Sequence, residues 1–308
     1  MKILAAADLH LTSACPVNRI DNYEETALRK FDQILSIARQ HDAVLTVSGD
    51  FWDTTKMSKI PYELTNKVIQ MLRMTKVRML ACHGQHDMAY HNPNLQSSPY
   101  YTLLVAGAME IPGPMGISIG NVRFFGSGWG QDIPMPEEKN PDLVEVLLLH
   151  RTITEYEPPF FLKDGTSAAK AMEVLRNFDF ILSGDYHEAF IRQEADRFLV
   201  NCGPMLRQKI TERTLKPVAH LIDTDERTVT SIPLDVRDDV WNDERIEKQK
   251  QHEVSVSTTD LLKAMNEQSD RPDFIEILDT VLQDVGEEGL VNLVREVVAM
   301  ARKKKEGV

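Results

Sequence analysis

Cysteine is scarce in this chain: Cys15, Cys82 and Cys202 are the only three in 308 residues, with no Cys-x-x-Cys pair. That argues against a disulfide framework and a thiolate zinc site, and reads as reduced thiols in a cytoplasmic protein. Long apolar runs are missing too. The opening Met-Lys-Ile-Leu-Ala-Ala-Ala-Asp8 reaches a charge after a handful of apolar residues, and no stretch approaches the ~18 residues of a membrane span. The sequence therefore points away from secretion and the membrane. Positive charge is also short: 35 Lys and Arg against 47 Asp and Glu leave a formal charge of -12. A uniformly basic nucleic-acid coat is excluded, whereas a local basic groove, or a metal ion supplying the positive charge, is not. There is no internal repeat and no low-complexity tract, only a basic Arg302-Lys-Lys-Lys305 end.

With 42% hydrophobic residues, the chain can bury one large core, with roughly 60 to 100 residues left for a second unit. The stretch Ala43-Val-Leu-Thr-Val-Ser-Gly-Asp-Phe-Trp-Asp53 shows how that core is organised. A run of β-formers stops at Ser48 and a glycine delivers two carboxylates, Asp50 and Asp53, as buried parallel strands do at their carboxyl ends. Four further apolar runs end the same way. Residues 3–7 lead to Asp8-Leu-His10, 77–82 to His83-Gly-Gln-His-Asp87, 144–149 to His150, and 180–183 to Gly-Asp-Tyr-His187. Between them, Leu28, Phe31, Leu35 and Ala38 share a helical face behind Asp21-x-x-Glu24, which predicts a capping box. Leu64, Val68 and Leu72 predict a second helix, and 167–176 a third.

Asn92–Pro141 is rich in Pro and Gly and predicts irregular loops around one hairpin, 116–119 with 122–125. Residues 198–201, 217–223 and 228–234 read as antiparallel strands completing a second sheet. The composition shifts at about 235. A domain 1–235 is thus separated from 236–308, a charged linker and a small C-terminal helical region in which Phe274, Ile277 and Val281, then Leu290, Val294 and Val297, mark two amphipathic faces.

The strand ends together present Asp8, His10, Asp50, Gln85, His86, His150, Asp185 and His187, oxygen and imidazole donors without thiolate. Such a set suits manganese, magnesium or iron(II), with zinc less favoured. A single His at a strand end is more often a hydrogen-bonded structural residue than a ligand, and a single Asp more often a turn residue. Five such ends in one chain outweigh that reading. His41, His83, His220 and His252 read as structural or exposed, and Trp52 as core. Lys56, Lys59, Tyr90, His91, Arg151 and Arg207 lie near the motifs in sequence and are candidate contacts to a nucleic-acid backbone, with surface solvation the commoner role for such residues.

Asp8-x-His10, Gly49-Asp50-x-x-Asp53, Gly84-Gln-His-Asp87, His150 and Gly184-Asp-x-His187 resemble, in order, the motifs of the calcineurin-like metallophosphoesterases. Within that superfamily, Ala-Asp-Leu-His-Leu11, Gly-Asp-Phe-Trp-Asp-Thr54 and Asn-Cys-Gly-Pro-Met205 followed by Ile-Pro-Leu234 are similar to the SbcD-type DNA double-strand-break repair nucleases. The resemblance covers about residues 1–235. It implies an α/β fold, a four-layer αββα sandwich, holding two divalent metal ions, with manganese first in expectation. Asp8, His10, Asp50 and His187 would bind one ion. Asp50 as bridge, His150, Gln85 and Asp185 would bind the other. Gln85 and Asp185 depart from the pattern, which has Asn and His there. Asp185 makes the site one unit more negative than His would, so it should hold an anionic phosphate more weakly and favour hard ions.

The resemblance further implies His86 as proton donor or charge stabiliser at the leaving group, with Asp53 orienting its ring. It implies DNA as substrate, an SMC-like coiled-coil ATPase as partner docking on the C-terminal helices, and leaves a homodimer open. Competing readings are a small-molecule phosphodiesterase or phosphatase, and a binding subunit weakened at Gln85 and Asp185.

Overall fold

The computed structural model describes residues 1–248 except 137, 138, 160, 161 and 163. In chain order they form β1 (Lys2–Ala6), α1 (Tyr23–Gln40), β2 (Val44–Ser48), α2 (Tyr62–Thr75), β3 (Met79–Cys82), α3 (Pro99–Val105), β4 (Ile117–Ile119) and β5 (Val122–Ser127). Then follow β6 (Val144–His150), β7 (Ile153–Thr154), β8 (Thr166–Ser167), α4 (Ala168–Val174), β9 (Phe180–Gly184), β10 (Phe190–Glu194), β11 (Arg197–Asn201), β12 (Val218–Asp223) and β13 (Thr228–Pro233). One sheet has the order β13-β12-β1-β2-β3, the other β10-β11-β9-β6-β5-β4. The neighbours β1, β2 and β3 run parallel, as do β5, β6, β9 and β11.

Side-chain alternation along the strands builds the layers. Leu4 and Ala6 of β1 and Leu45 and Val47 of β2 pack with Phe31, Ile34, Leu64 and Val68 of α1 and α2. The intervening Ile3, Ala5 and Val44 meet Val146, Leu148, Phe180 and Leu182 of the other sheet. Leu147, Leu149 and Ile181 point the opposite way, against Ala171 and Met172 of α4. Helices, sheet, sheet and helix are four layers. The central strands β2, β6 and β9 are buried along their whole length, which is why they read as largely apolar runs, broken only by Thr46, Ser48, Glu145 and Ser183 before the site residues, and not as alternating ones.

Several expectations are corrected. Strands β12 and β13 do not complete a second sheet; β12 pairs antiparallel with β1, Lys2 opposite Asp223, and extends the first. The second sheet is extended by β11 together with β10, whose Phe-Ile-Arg-Gln-Glu composition hides a partly exposed edge strand. Helix α3 lies within the stretch expected to be irregular, started by Ser98, whose hydroxyl accepts from the Tyr101 N–H, with Pro99 in its first turn. The capping box before α1 does not form. Asp21 is held by Arg19 (2.7 Å), and Glu24 reaches Ser13 and Lys67, so both carboxylates serve tertiary contacts. The compact unit runs Met1–Asp243, past the boundary expected at 235. The amphipathic faces expected beyond 248 lie outside the described residues. Among the described residues, no helix is long and apolar enough to cross a membrane.

Candidate active site

The carboxyl ends of β1, β2, β3, β6 and β9 meet at one place. Asp8, His10, Asp50 and Asp185 all adopt left-handed backbone conformations, with φ of 48°, 45°, 44° and 81°. L-residues avoid this region, and it recurs where a chain turns sharply to present a side chain. Two glycines make the convergence possible. A Cβ on Gly49 (φ 88°) would sit 2.0 Å from His150 Nδ1, and one on Gly84 would sit 2.0 Å from Asp50 Oδ1.

Asp50 Oδ2 is the hub, 3.5 Å from His150 Nε2, 3.9 Å from His10 Nε2 and 4.0 Å from His86 Nε2. On one side, His10 Nε2 faces His187 Nε2 at 3.4 Å, and the buried Asp8 accepts the Asp185 main-chain N–H with both oxygens. On the other, His150 donates Nδ1–H to the Ser48 carbonyl (2.8 Å) and turns Nε2 to Gln85 Oε1 (2.8 Å). Gln85 Nε2 in turn donates to Asp185 Oδ1 (2.7 Å), and Thr152 donates to the other Asp185 oxygen. The sets Asp8–His10–His187, His10–Asp50–His86 and Asp8–Asp50–His150 each bring three donor atoms within 4.8 Å of one another.

The family profile for calcineurin-like phosphoesterases matches residues 1–189, the segment that supplies every one of these side chains. The chain belongs to the calcineurin-like phosphoesterase family. No curated protein matches it. Similar solved structures include an archaeal phosphodiesterase, at 13% identity over 76% of this chain and 100% of that one, with a TM-score of 0.42. A putative 5'-nucleotidase from Staphylococcus aureus, in complex with alpha-ketoglutarate, has 12% identity over 76% of this chain and 53% of its own, with a TM-score of 0.50. A hypothetical protein from Pyrococcus horikoshii has 13% identity over 82% and 93%, with a TM-score of 0.41. Likeness at such identities speaks for the fold alone.

Family membership makes this a metal-dependent phosphoesterase site, and the donor set fits divalent ions. Two ring nitrogens facing each other at 3.4 Å cannot both carry protons toward one another, whereas a shared cation accepts both lone pairs. Burial lowers the His10 pKa to about 4, Asp50 opposing and His187 and His86 reinforcing, so the ring is neutral near pH 7, as a ligand must be. Burial pushes Asp8 up to about 7, with His150 opposing and Asp50 adding to it. Burial acts on Asp50 in the same sense, yet the hydrogen bond and charge of His150 win and hold it below the ordinary carboxylate range. Burial alone would lower His150, but Asp50, Asp8 and Asp185 raise it to about 10. Protons shared in this way among clustered carboxylates and imidazoles are what divalent cations displace. Asp8, His10, Asp50 and His187 would hold one ion; Asp50 and His150, with Gln85 Oε1 and Asp185, would hold a second.

The phosphoesterase site also shows where sequence reasoning fell short. Asp53 does contact His86, but through its main-chain carbonyl, which accepts from Nδ1 at 2.6 Å. Its carboxylate instead lies 3.9 Å from His10 Nδ1 and accepts from Gln208 Nε2 at 3.3 Å. Arg207 is not a backbone contact for nucleic acid: it is buried, bonded to Asp239 (2.7 Å) and to the Arg213 carbonyl. Lys56 and Lys59 are exposed, Lys59 Nζ 3.9 Å from Asp53 Oδ2. Arg151 is exposed and donates to the Gln131 carbonyl, and Tyr90 is 99% exposed in a left-handed conformation.

Three residues had no assigned role. Asp87 is fully buried and accepts the N–H groups of Phe51, Trp52 and Gly84, tying the Asp50 loop to the Gln85 loop. Thr152 braces Asp185, and Glu212 accepts from His187 Nδ1 at 2.9 Å. Asp87 stood in a motif already singled out. Glu212, from a different loop, carried no sequence signal.

Proposed function

We propose that this phosphoesterase cleaves phosphodiester bonds in DNA with manganese, as the nuclease subunit of a complex with an SMC-like coiled-coil ATPase. The observation that carries the diester reading is the seat of His86. Its main-chain N–H donates to Asp50 Oδ1 (2.9 Å) and its Nδ1 to the Asp53 carbonyl (2.6 Å). A carbonyl only accepts, so Nδ1 holds a proton and Nε2 is left for the substrate side. The ring is 44% exposed and lines an open cavity of about 460 Å³ with Lys209, Thr211 and Leu215.

Bound divalent ions supply the positive charge that holds a phosphate and lowers the pKa of water. The protein supplies the rest. A sugar alkoxide is a poor leaving group, and protonation from the His86 imidazolium at Nε2 makes its departure feasible, an effect worth about 10²–10⁴ in rate. Asp87 fixes the loop on which His86 rides, and Asp53 fixes its ring.

Support for DNA as substrate comes from the motif resemblance and from exposed Lys56, Lys59, Tyr90 and Arg151, which lie close to the site motifs in sequence. A net charge of -12 makes unaided DNA binding weak, and a partner contributing basic surface resolves that. Incubating the full chain with linear double-stranded and single-stranded DNA in manganese and in magnesium, beside Asp50→Asn, should give metal-dependent cutting by the wild type. Absence of cutting above the Asp50→Asn control removes the nuclease reading. A second reading rests on Gln85 and Asp185, which hydrogen-bond to each other at 2.7 Å and so engage two expected ligands. Turnover of a generic aryl phosphodiester without DNA cleavage would favour a small-molecule phosphodiesterase, and turnover of neither a weakened binding subunit.

A further inference from the structure

We propose that Glu212 is the positioning residue that fixes the tautomer of His187, keeping its Nε2 bare and directed at the His10 side of the site. The inference rests on His187 being a metal ligand. Glu212 Oε1 faces His187 Nδ1 at 2.9 Å, while His187 Nε2 faces His10 Nε2 at 3.4 Å. The other oxygen, Oε2, accepts the main-chain N–H groups of Gln208 (2.6 Å) and Lys209 (3.0 Å). A carboxylate has no proton to give, so the proton of this contact is on His187 Nδ1, and the neutral ring keeps its lone pair on Nε2. The Glu212 side chain is 6% exposed, and the hydrogen bond to it holds the ring in one orientation.

The carboxylate is itself held in place. It closes the short 3-10 turn Ile210–Glu212. Arg207 Nη1 donates to the Arg213 carbonyl at the end of that turn (2.7 Å), and Arg207 Nε to Asp239 (2.7 Å). Arg19 Nη1 donates to the Arg207 carbonyl (2.7 Å) and Arg19 Nη2 to Asp239 (3.1 Å). A buried ionic cluster thus anchors the turn, the turn places Glu212, and Glu212 aims His187. This assigns a role to the otherwise unused charges of Arg19, Arg207 and Asp239.

Glu212→Gln tests it, because the change is nearly isosteric. Two main-chain N–H donors at Oε2 demand an oxygen there, so the amide turns its NH2 toward His187 Nδ1. The imidazole must then accept at Nδ1 and carry its proton on Nε2, where it blocks the metal. Long-range ¹H–¹⁵N correlation spectra of the full chain, with His187 assigned through His187→Gln, read the tautomer above the pH at which the ring becomes neutral. The wild type should show Nδ1–H and the variant Nε2–H. Calorimetric titration with Mn²⁺ should show an affinity loss of about 10- to 100-fold in the variant, and Glu212→Asp, which keeps a carboxylate, should recover part of it.

Unchanged Mn²⁺ affinity in Glu212→Gln, or an Nδ1–H tautomer retained in it, overturns the proposal. If the variant does not fold, the wild-type spectrum decides alone, since an Nε2–H tautomer there contradicts it. A wild type that binds no Mn²⁺ sinks the metal-site reading, while the two spectra still decide what Glu212 does to His187.

Discussion

His86 and His10 are neighbours, their ring centroids 5.0 Å apart, yet exposure divides their work. His10 is buried and held neutral, suited to ligation; His86 stands half in solvent, tethered at Nδ1. His86→Ala should therefore lower turnover on a phosphodiester by about 10²–10⁴ with metal content unchanged by elemental analysis. Loss of metal instead would make His86 a ligand, as its place in the His10–Asp50–His86 set allows. At this scale the sequence was informative where a residue follows its strand directly: Asp8, His10, Asp50, His150 and His187 could all be named from position. It was silent on Glu212 and misleading on Arg207, because partners 25 and 32 residues away in the chain decide what those side chains do.

The elements behave likewise. Strands buried on both faces were legible as largely apolar runs, because covering both faces of a sheet leaves few polar positions, such as Thr46 and Glu145, to confuse the pattern. Which sheet β12 joins was not legible, since pairing with β1 or with β11 satisfies the same backbone hydrogen bonds. The 207–213 loop yields a prediction of its own. Arg207→Ala leaves Asp239 still bonded to Arg19 and Lys30, so the loss should be about 1–3 kcal/mol from missing hydrogen bonds, below the 3–5 typical of stranding a buried charge. Denaturant unfolding of the full chain should register it.

Strand β12 carries a second prediction at this scale. His220 is buried, shares a hydrogen bond with the Ser231 hydroxyl through Nδ1 (3.1 Å), and burial lowers its pKa from 6.5 to about 4. The unfolded chain takes up a proton below about 6.5 and the folded chain only near 4. Stability is thus full above that window and falls as pH drops through it, by up to about 3 kcal/mol. Urea titrations at pH 7 and pH 4.5 should show a larger acid loss in the wild type than in His220→Gln. Equal losses would mean that His220 is not the group responsible.

For the whole molecule, two sheets pack face to face and bring the ends of five strands together around one carboxylate, Asp50. Five strand ends were readable as one site from the sequence because chemistry at the carboxyl end is a property of parallel sheets in general. The substitutions at 85 and 185 were readable too, although their mutual hydrogen bond needed coordinates to be seen. The most direct test is the rate of aryl phosphodiester hydrolysis by the full chain as Mn²⁺ is titrated, with Asp50→Asn in parallel. Turnover should be saturable and metal-dependent, abolished by Asp50→Asn and removed reversibly by EDTA. Equal turnover in the two proteins, or none in the wild type at saturating Mn²⁺, would contradict metal-dependent catalysis at Asp50.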